Sequence, residues 1–204
     1  MPKVMKSYLN EEVLNNVMNL FWSKGFFNAS IQDLVNVTGL NRTAIYKYFG
    51  GKETLFVEML KRYQQNVTET LLKPLRKSDA DVSSIQDFFY QFIRLKQSRR
   101  LSCGCFFVAT ASDLPSHTKI VSSIINDFRN QLHKLFQAAV TNSKNNKMLA
   151  ESVVARSVAD FLVSHVFGLM TLSRASAPLS MLKNQVNEII RYLESLKQKR
   201  SRLE

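Results

Sequence analysis

Apolar residues recur at three- and four-residue intervals along most of the chain, with polar residues filling the faces between them. From about Asn10 to Lys24, Val13, Val17, Leu20 and Phe21 share one face, and Glu11 and Glu12 sit where a helix N-terminus favours negative charge. Gly25 ends this first predicted helix. Ile31, Leu34 and Val35 repeat at helical spacing in a second, with Ser30 as its N-cap and Asp33 three residues on, in capping-box spacing. Gly39 follows Thr38 where the chain must turn, and glycine takes the left-handed conformation without steric penalty. Asn41 caps a third helix, Arg42 to Phe49, whose inner face is Ile45 and Phe49. A long fourth helix starts near Lys52, carries Leu55, Phe56, Met59, Leu60, Tyr63 and Val67 inward, and ends near Pro74.

The polar segment KSDADVSS reads as a loop. Ser84 then precedes a helix with Ile85, Phe88, Phe89, Phe92 and Leu95 on one broad face. The basic break SRRLS leads into a short apolar helix, CFFVATASDL, stopped by Pro115. His117 to Asn142 reads as a long helix and TNSKNNK as a loop. Ala150–Ser173 and Ser180–Lys199 read as the last two helices, joined by RASAP, with Pro178 where a helix start tolerates proline. No segment alternates as a strand would, and no internal repeat is visible. The pattern predicts an all-α chain of about nine helices: three short ones, a linking fourth and roughly five more.

The stretch Ser30 to Lys52 has the form of a helix-turn-helix, in which the second helix enters a major groove of DNA. Residues 13 to 60 resemble the N-terminal DNA-binding domain of the TetR/AcrR family of bacterial repressors. VLNNVMNLFWSKGF resembles that family's first helix, ending in F-x-x-x-G-[FY] at Phe21, Gly25 and Phe26. NRTAIYKYFGGKETLF resembles its hallmark [ST]-x-x-x-[LI]-Y-x-[HY]-F-x-x-K-[ED]-x-L, at Asn41, Ile45, Tyr46, Tyr48, Phe49, Lys52, Glu53 and Leu55. Asn41 departs from the usual Ser or Thr but caps equally well. Gly50-Gly51 replaces a more usual polar pair. The resemblance implies a helix-turn-helix DNA-binding domain over residues 1–51 and an effector-binding and dimerisation domain over 52–204. In the first, Arg42, Thr43, Ala44, Tyr46 and Lys47 lie in or beside the groove. Arg pairs bidentately with guanine and Thr touches a thymine methyl. By resemblance, Tyr46, Tyr48 and Lys52 hold phosphates, which set register without reading sequence.

In the C-terminal half, GCFFVATASDLPSH resembles a G-C-[FL]-[LV]-x-x-[AS]-x-[DE] stretch of one TetR branch, with Cys105 at that branch's cysteine. The last two helices correspond to the pair through which the family forms a two-fold homodimer. Their apolar positions, Leu162 and Ile189 among them, are expected to exceed what one protomer's bundle needs. The implied partners are a near-palindromic double-stranded operator, a small-molecule effector and a second copy of the chain. Phe88, Phe92, Cys105, Phe106, Phe136 and Phe167 are the candidate effector-binding residues in a phenylalanine-rich bundle.

Composition sharpens this reading. The formal net charge is +12, a field that favours a polyanion. No apolar run approaches the ~20 residues of a membrane span, and the N-terminus lacks the apolar core of a secretory signal. Cys103 and Cys105 are too close for an unstrained disulfide, which suggests reduced thiols and a cytoplasmic location. C-x-C with distant His117, His133 and His165 is poor metal spacing, so neither metal nor cofactor is expected. No nucleophile–base pairing or phosphate-cradling loop suggests an enzyme. Two alternatives to an effector-released repressor stay open. One is a redox- or electrophile-sensing repressor in which Arg99 and Arg100 activate Cys105; the competing reading makes Cys105 a packed small hydrophobe. The other is a DNA-binding factor of the same fold with no effector.

Overall fold

A computed structural model of the chain describes residues 10–98, 101 and 103–198. Among the described residues there are nine helices and no β-strand. They are α1 (Glu11–Asn28), α2 (Ile31–Thr38), α3 (Arg42–Phe49), α4 from Lys52, α5 (Val82–Gln97), α6 (Phe106–Ala111), α7 (Lys119–Asn145), α8 (Ala155–Arg174) and α9 (Leu179–Ser195). α4 opens as Lys52–Tyr63, loosens into a π turn at Gln64–Thr68 and resumes as Glu69–Leu72. The first helix does break where glycine predicted: Gly25 has φ 78°, and one further turn, Phe26 to Asn28, follows it.

Packing divides the chain into two compact units. The first holds the described residues up to Thr68 together with Phe106–Ile125; the second holds Glu69–Cys105 and the described residues from Asn126 onward. This is a division by packing, whereas the 1–51 and 52–204 boundary is one of expected role. The first unit's core joins Leu14, Val17 and Phe21 of α1 to Leu34, Ile45, Phe49 and the buried face of α4. α6 completes it from far along the chain. Phe106 meets Phe56 and Tyr63 edge-on at 5.4 and 5.7 Å, and Phe107 meets Tyr63 at 5.4 Å. Arg62, buried on α4, is held by Glu11 and Asn15 of α1.

The second unit's core is built from α5, α7, α8 and α9. Phe88, Phe89 and Phe136 pack ring against ring, and Leu132, Leu162, Val166, Leu182, Val186 and Ile189 are buried in the same unit. Three expectations are corrected here. α5 starts at Val82, because Asp81 caps it: its carboxylate accepts from the Ser83 and Ser84 N–H groups, and Ser84 Oγ accepts from the Asp81 N–H. α7 runs through most of the segment read as a loop, because its last turn is held by tertiary bonds. Ser143 Oγ accepts from the Val82 N–H at 2.7 Å, Asn142 donates to the Ala80 carbonyl at 2.9 Å, and Lys144 donates to the Val153 carbonyl at 2.8 Å. Finally, Leu162 and Ile189 are fully buried within the protomer, so they are core residues and not interface surface.

Candidate nucleic-acid interface

The helix-turn-helix is assembled by caps. Ser30 Oγ accepts from the Asp33 N–H at 3.0 Å, and the Asp33 carboxylate accepts from the Ser30 N–H at 2.9 Å. Lys24 reaches the same carboxylate at 2.7 Å, tying α1 to the start of α2. The hydrogen bond from Lys24, then those from Ser30, hold the Asp33 carboxyl at a pKa of about 2. At the other end Gly39 takes φ 69° and donates to the Val35 carbonyl. Leu40 N–H donates to Thr38 Oγ1, completing the turn. Asn41 Oδ1 accepts from the Ala44 N–H at 2.8 Å and starts α3.

α3 buries Ile45 and Phe49 and turns its other side outward. Arg42, Thr43, Tyr46 and Lys47 are exposed; Ala44, Tyr48 and Lys52 are half-buried. The Arg42 guanidinium lies 5.9 Å from the Tyr46 ring centre, and Lys47 Nζ lies 5.6 Å from that of Tyr48. Two glycines set the exit. Gly50, at φ 72°, caps α3, and Gly51, at φ 107°, passes directly beside Tyr46: a Cβ there would meet the ring at 3.3 Å. The absent side chain therefore leaves Tyr46 its place on the outer face. All seven sequence-selected residues thus fall within one short stretch of the first unit, and three of them carry positive charge.

Lys52 is placed differently from a freely solvated lysine. Its Nζ lies 4.5 Å from the ring centre of Phe26, and burial lowers its pKa while Asp33 partly opposes the shift. Phe26 belongs to a cluster that sequence reasoning missed. His117 stacks on Phe56 at 5.5 Å with nearly parallel rings, and touches Phe26 and Phe27 at 5.4 and 5.0 Å. Burial lowers the His117 pKa, and Asp113 and Glu53 pull it partly back. No local motif marks His117; only the return of α6 to the first unit brings it there.

The six candidate effector residues do not form one group. Phe88 and Phe136 are in contact at 5.3 Å, and Phe92 is buried in the same unit. Phe106 belongs to the first unit's core, because α6 packs on α1 and α4. Phe167 is half-buried on α8. Cys105 is buried, and Cys103 is partly open. The loop carrying them is clamped to α8: Arg174 donates to the Cys103 carbonyl, Ser173 donates to the Leu101 carbonyl, and a Cβ on Gly104 would meet the Met170 carbonyl at 2.5 Å. Arg99 and Arg100, invoked as activators of Cys105, lie outside the described residues. Among the described residues no cluster of three or more His, Cys, Asp or Glu is arranged to hold a metal, and no helix is long and apolar enough to cross a membrane.

Residues 14–59 match the family model described as bacterial regulatory proteins, tetR family. The chain is 24% identical over 182 residues to the HTH-type transcriptional repressor ComR of Escherichia coli strain K12, covering 89% of this chain and 85% of that protein. A TetR transcriptional regulator from Chloroflexus aurantiacus J-10-FL superposes with a TM-score of 0.82 at 20% identity, covering 97% of this chain and 98% of the other. A cysteine mutant of the TetR family regulator CifR, complexed with 26-bp double-strand operator DNA, superposes with a TM-score of 0.74 at 21% identity, covering 90% and 96%.

Proposed function

Since this chain belongs to the TetR family of DNA-binding transcriptional regulators, we propose that it is a cytoplasmic repressor that grips a near-palindromic operator as a homodimer and releases it when a small-molecule effector binds. The observation that carries the DNA contact is the capped pair α2–α3. Its inner residues Ile45 and Phe49 are buried, while Arg42, Thr43, Tyr46 and Lys47 stand exposed on the outer face. On this reading Arg42 and Thr43 address base edges, Ala44 lies beside them, and Tyr46, Lys47, Tyr48 and Lys52 position the head on phosphates.

Dimerisation is supported by the open side of α8 and α9. Gly168 stands exposed in the middle of α8, and a Cβ there would meet nothing within 4 Å. A mid-helix glycine costs roughly 1 kcal/mol relative to alanine. Close approach of a second copy's helix gives it a role, and Phe161, whose ring lies tilted against that of Tyr192 at 4.3 Å, and the half-buried Leu172 add apolar surface on the same helix. The buried, clamped position of Cys105 favours a packing role over a sensing one. An effector acts by binding the DNA-incompetent state more tightly, and moving a dimer from 99:1 to 1:99 takes a factor of ~10⁴.

Binding of the purified chain to DNA flanking its own gene, read by fluorescence anisotropy, tests the DNA arm. The expected result is salt-sensitive, sequence-selective binding with half-sites about one helical turn apart or a multiple of it. Binding to random DNA with equal strength contradicts it. Sedimentation at micromolar concentration tests the dimer: Gly168→Glu is expected to give a folded monomer, and a monomeric wild type contradicts the proposal. Screening small molecules for release of the bound DNA tests the effector arm, and no release by any compound would favour a regulator without one.

A further inference from the structure

α7 and α8 of the second unit enclose a cleft of about 280 Å³ lined by Arg129, Asn130, His133, Arg156, Asp160 and Val163. Helical spacing explains the convergence. Arg129 and His133 stand one turn apart on α7, and Arg156, Asp160 and Val163 follow one another along a single face of α8. His133 Nε2 lies 3.0 Å from Asp160 Oδ1, so the acidic group of the cleft is engaged by the imidazole. Neither Arg129 nor Arg156 makes an ion pair or hydrogen bond with another described residue. Two unengaged guanidiniums, an amide and an apolar side chain thus share one concave site.

We propose that this cleft binds a small organic anion, a carboxylate or a phosphate ester. Arg129 and Arg156 hold the charged group, since planar guanidiniums bind both anions bidentately. Asn130 adds a donor, and Val163 faces the apolar part. The volume suits a small metabolite and lies near the lower end of ligand sites, ~300–1,000 Å³. The site differs from the phenylalanine cluster around Phe88 and Phe136, and it does not rest on the operator reading, because binding is measured without DNA.

Isothermal titration of the full chain at low ionic strength, with inorganic phosphate and separately with benzoate, is the test. The two probes distinguish phosphoryl from carboxylate recognition. At least one is expected to saturate a single site per chain. The double variant Arg129→Gln, Arg156→Gln should weaken that probe at least about tenfold. Asn130→Asp, a single exposed change that sets a carboxylate in the cleft, should give a similar loss; circular dichroism confirms that both variants are folded. Arg191→Gln, which removes an exposed arginine paired with Glu188 on α9, should bind as wild type does. The proposal is overturned if neither probe saturates, if both cleft variants bind unchanged, or if Arg191→Gln loses as much as they do.

Discussion

α2 stops at Gly39 for a local reason, whereas α7 continues to Asn145 against its local signals. In the first case a glycine at φ 69° and a donated N–H end the helix within four residues of sequence. In the second, Asn142, Ser143 and Lys144 are residues that favour turns or solvent. They stay helical because they satisfy the backbone of segments some 60 residues before them and about 10 after. The helix-turn-helix is thus specified by neighbours in sequence, and the second unit by neighbours in space. The ends of α2 and α3 are set by caps close in sequence, while the end of α7 is set by bonds to distant segments.

The strongest way to break the comparison is to attack the bundle. Leu162→Glu together with Ile189→Glu buries two unpartnered carboxylates at positions 0% and 1% exposed. Each is expected to cost about 3 kcal/mol or more, abolishing cooperative thermal unfolding of the second unit. Gly168→Glu, on the same pair of helices but open, should keep a cooperative transition and lower its midpoint only through loss of the proposed dimer, a shift that depends on protein concentration. Equal melts for the buried and open variants would remove the distinction.

A subtler pair compares the two kinds of cap. Ser143→Ala leaves the Val82 N–H buried without its acceptor and should cost about 1–3 kcal/mol in urea unfolding. Ser30→Ala removes a local N-cap at an exposed site and should cost about 0.5–2 kcal/mol. If the local cap proved the more costly, the contrast between the two regions would reverse.

The smallest effects come from pH. The His117 pKa is lowered by burial, so the unfolded chain binds a proton more readily. The stability that neutral His117 contributes is complete above its unfolded value of about 6.5 and falls as pH drops below it. Asp33 works at lower pH: its carboxyl sits at about 2 against an ordinary 3.8, so its contribution is present above pH 4 and is lost as pH falls towards 2. Unfolding midpoints at a series of pH values should show a shallower decline between pH 7 and 5 in His117→Phe, and between pH 4 and 2 in Asp33→Asn. Parallel curves for wild type and variants contradict these assignments.

What sequence made legible follows the same line. Ser30, Asp33, Gly39 and Asn41 announced the helix-turn-helix because each acts on atoms within three or four residues of itself. The inner and outer faces of α3 were readable from helical periodicity alone. The passage of α6 into the first unit's core was not, since an apolar CFFVAT segment packs equally well in either unit. Grouping Phe106 with Phe88 and Phe136 followed from composition, which cannot tell one buried ring cluster from another. Leu162 and Ile189 were misassigned to a surface because amphipathicity shows which face is buried, not what buries it.

The proposed division of labour has the outer face of α3 read DNA while Lys52, held over Phe26, only positions the head. Anisotropy titrations of wild type, Arg42→Ala and Lys52→Ala against a selected operator and a scrambled duplex, across a range of salt, test it directly. Arg42→Ala should lose about 1–3 kcal/mol on the operator and little on the scrambled duplex. Lys52→Ala should weaken both alike and reduce the salt slope by about one phosphate contact. Base preference altered by Lys52→Ala, or left intact by Arg42→Ala, would contradict the account.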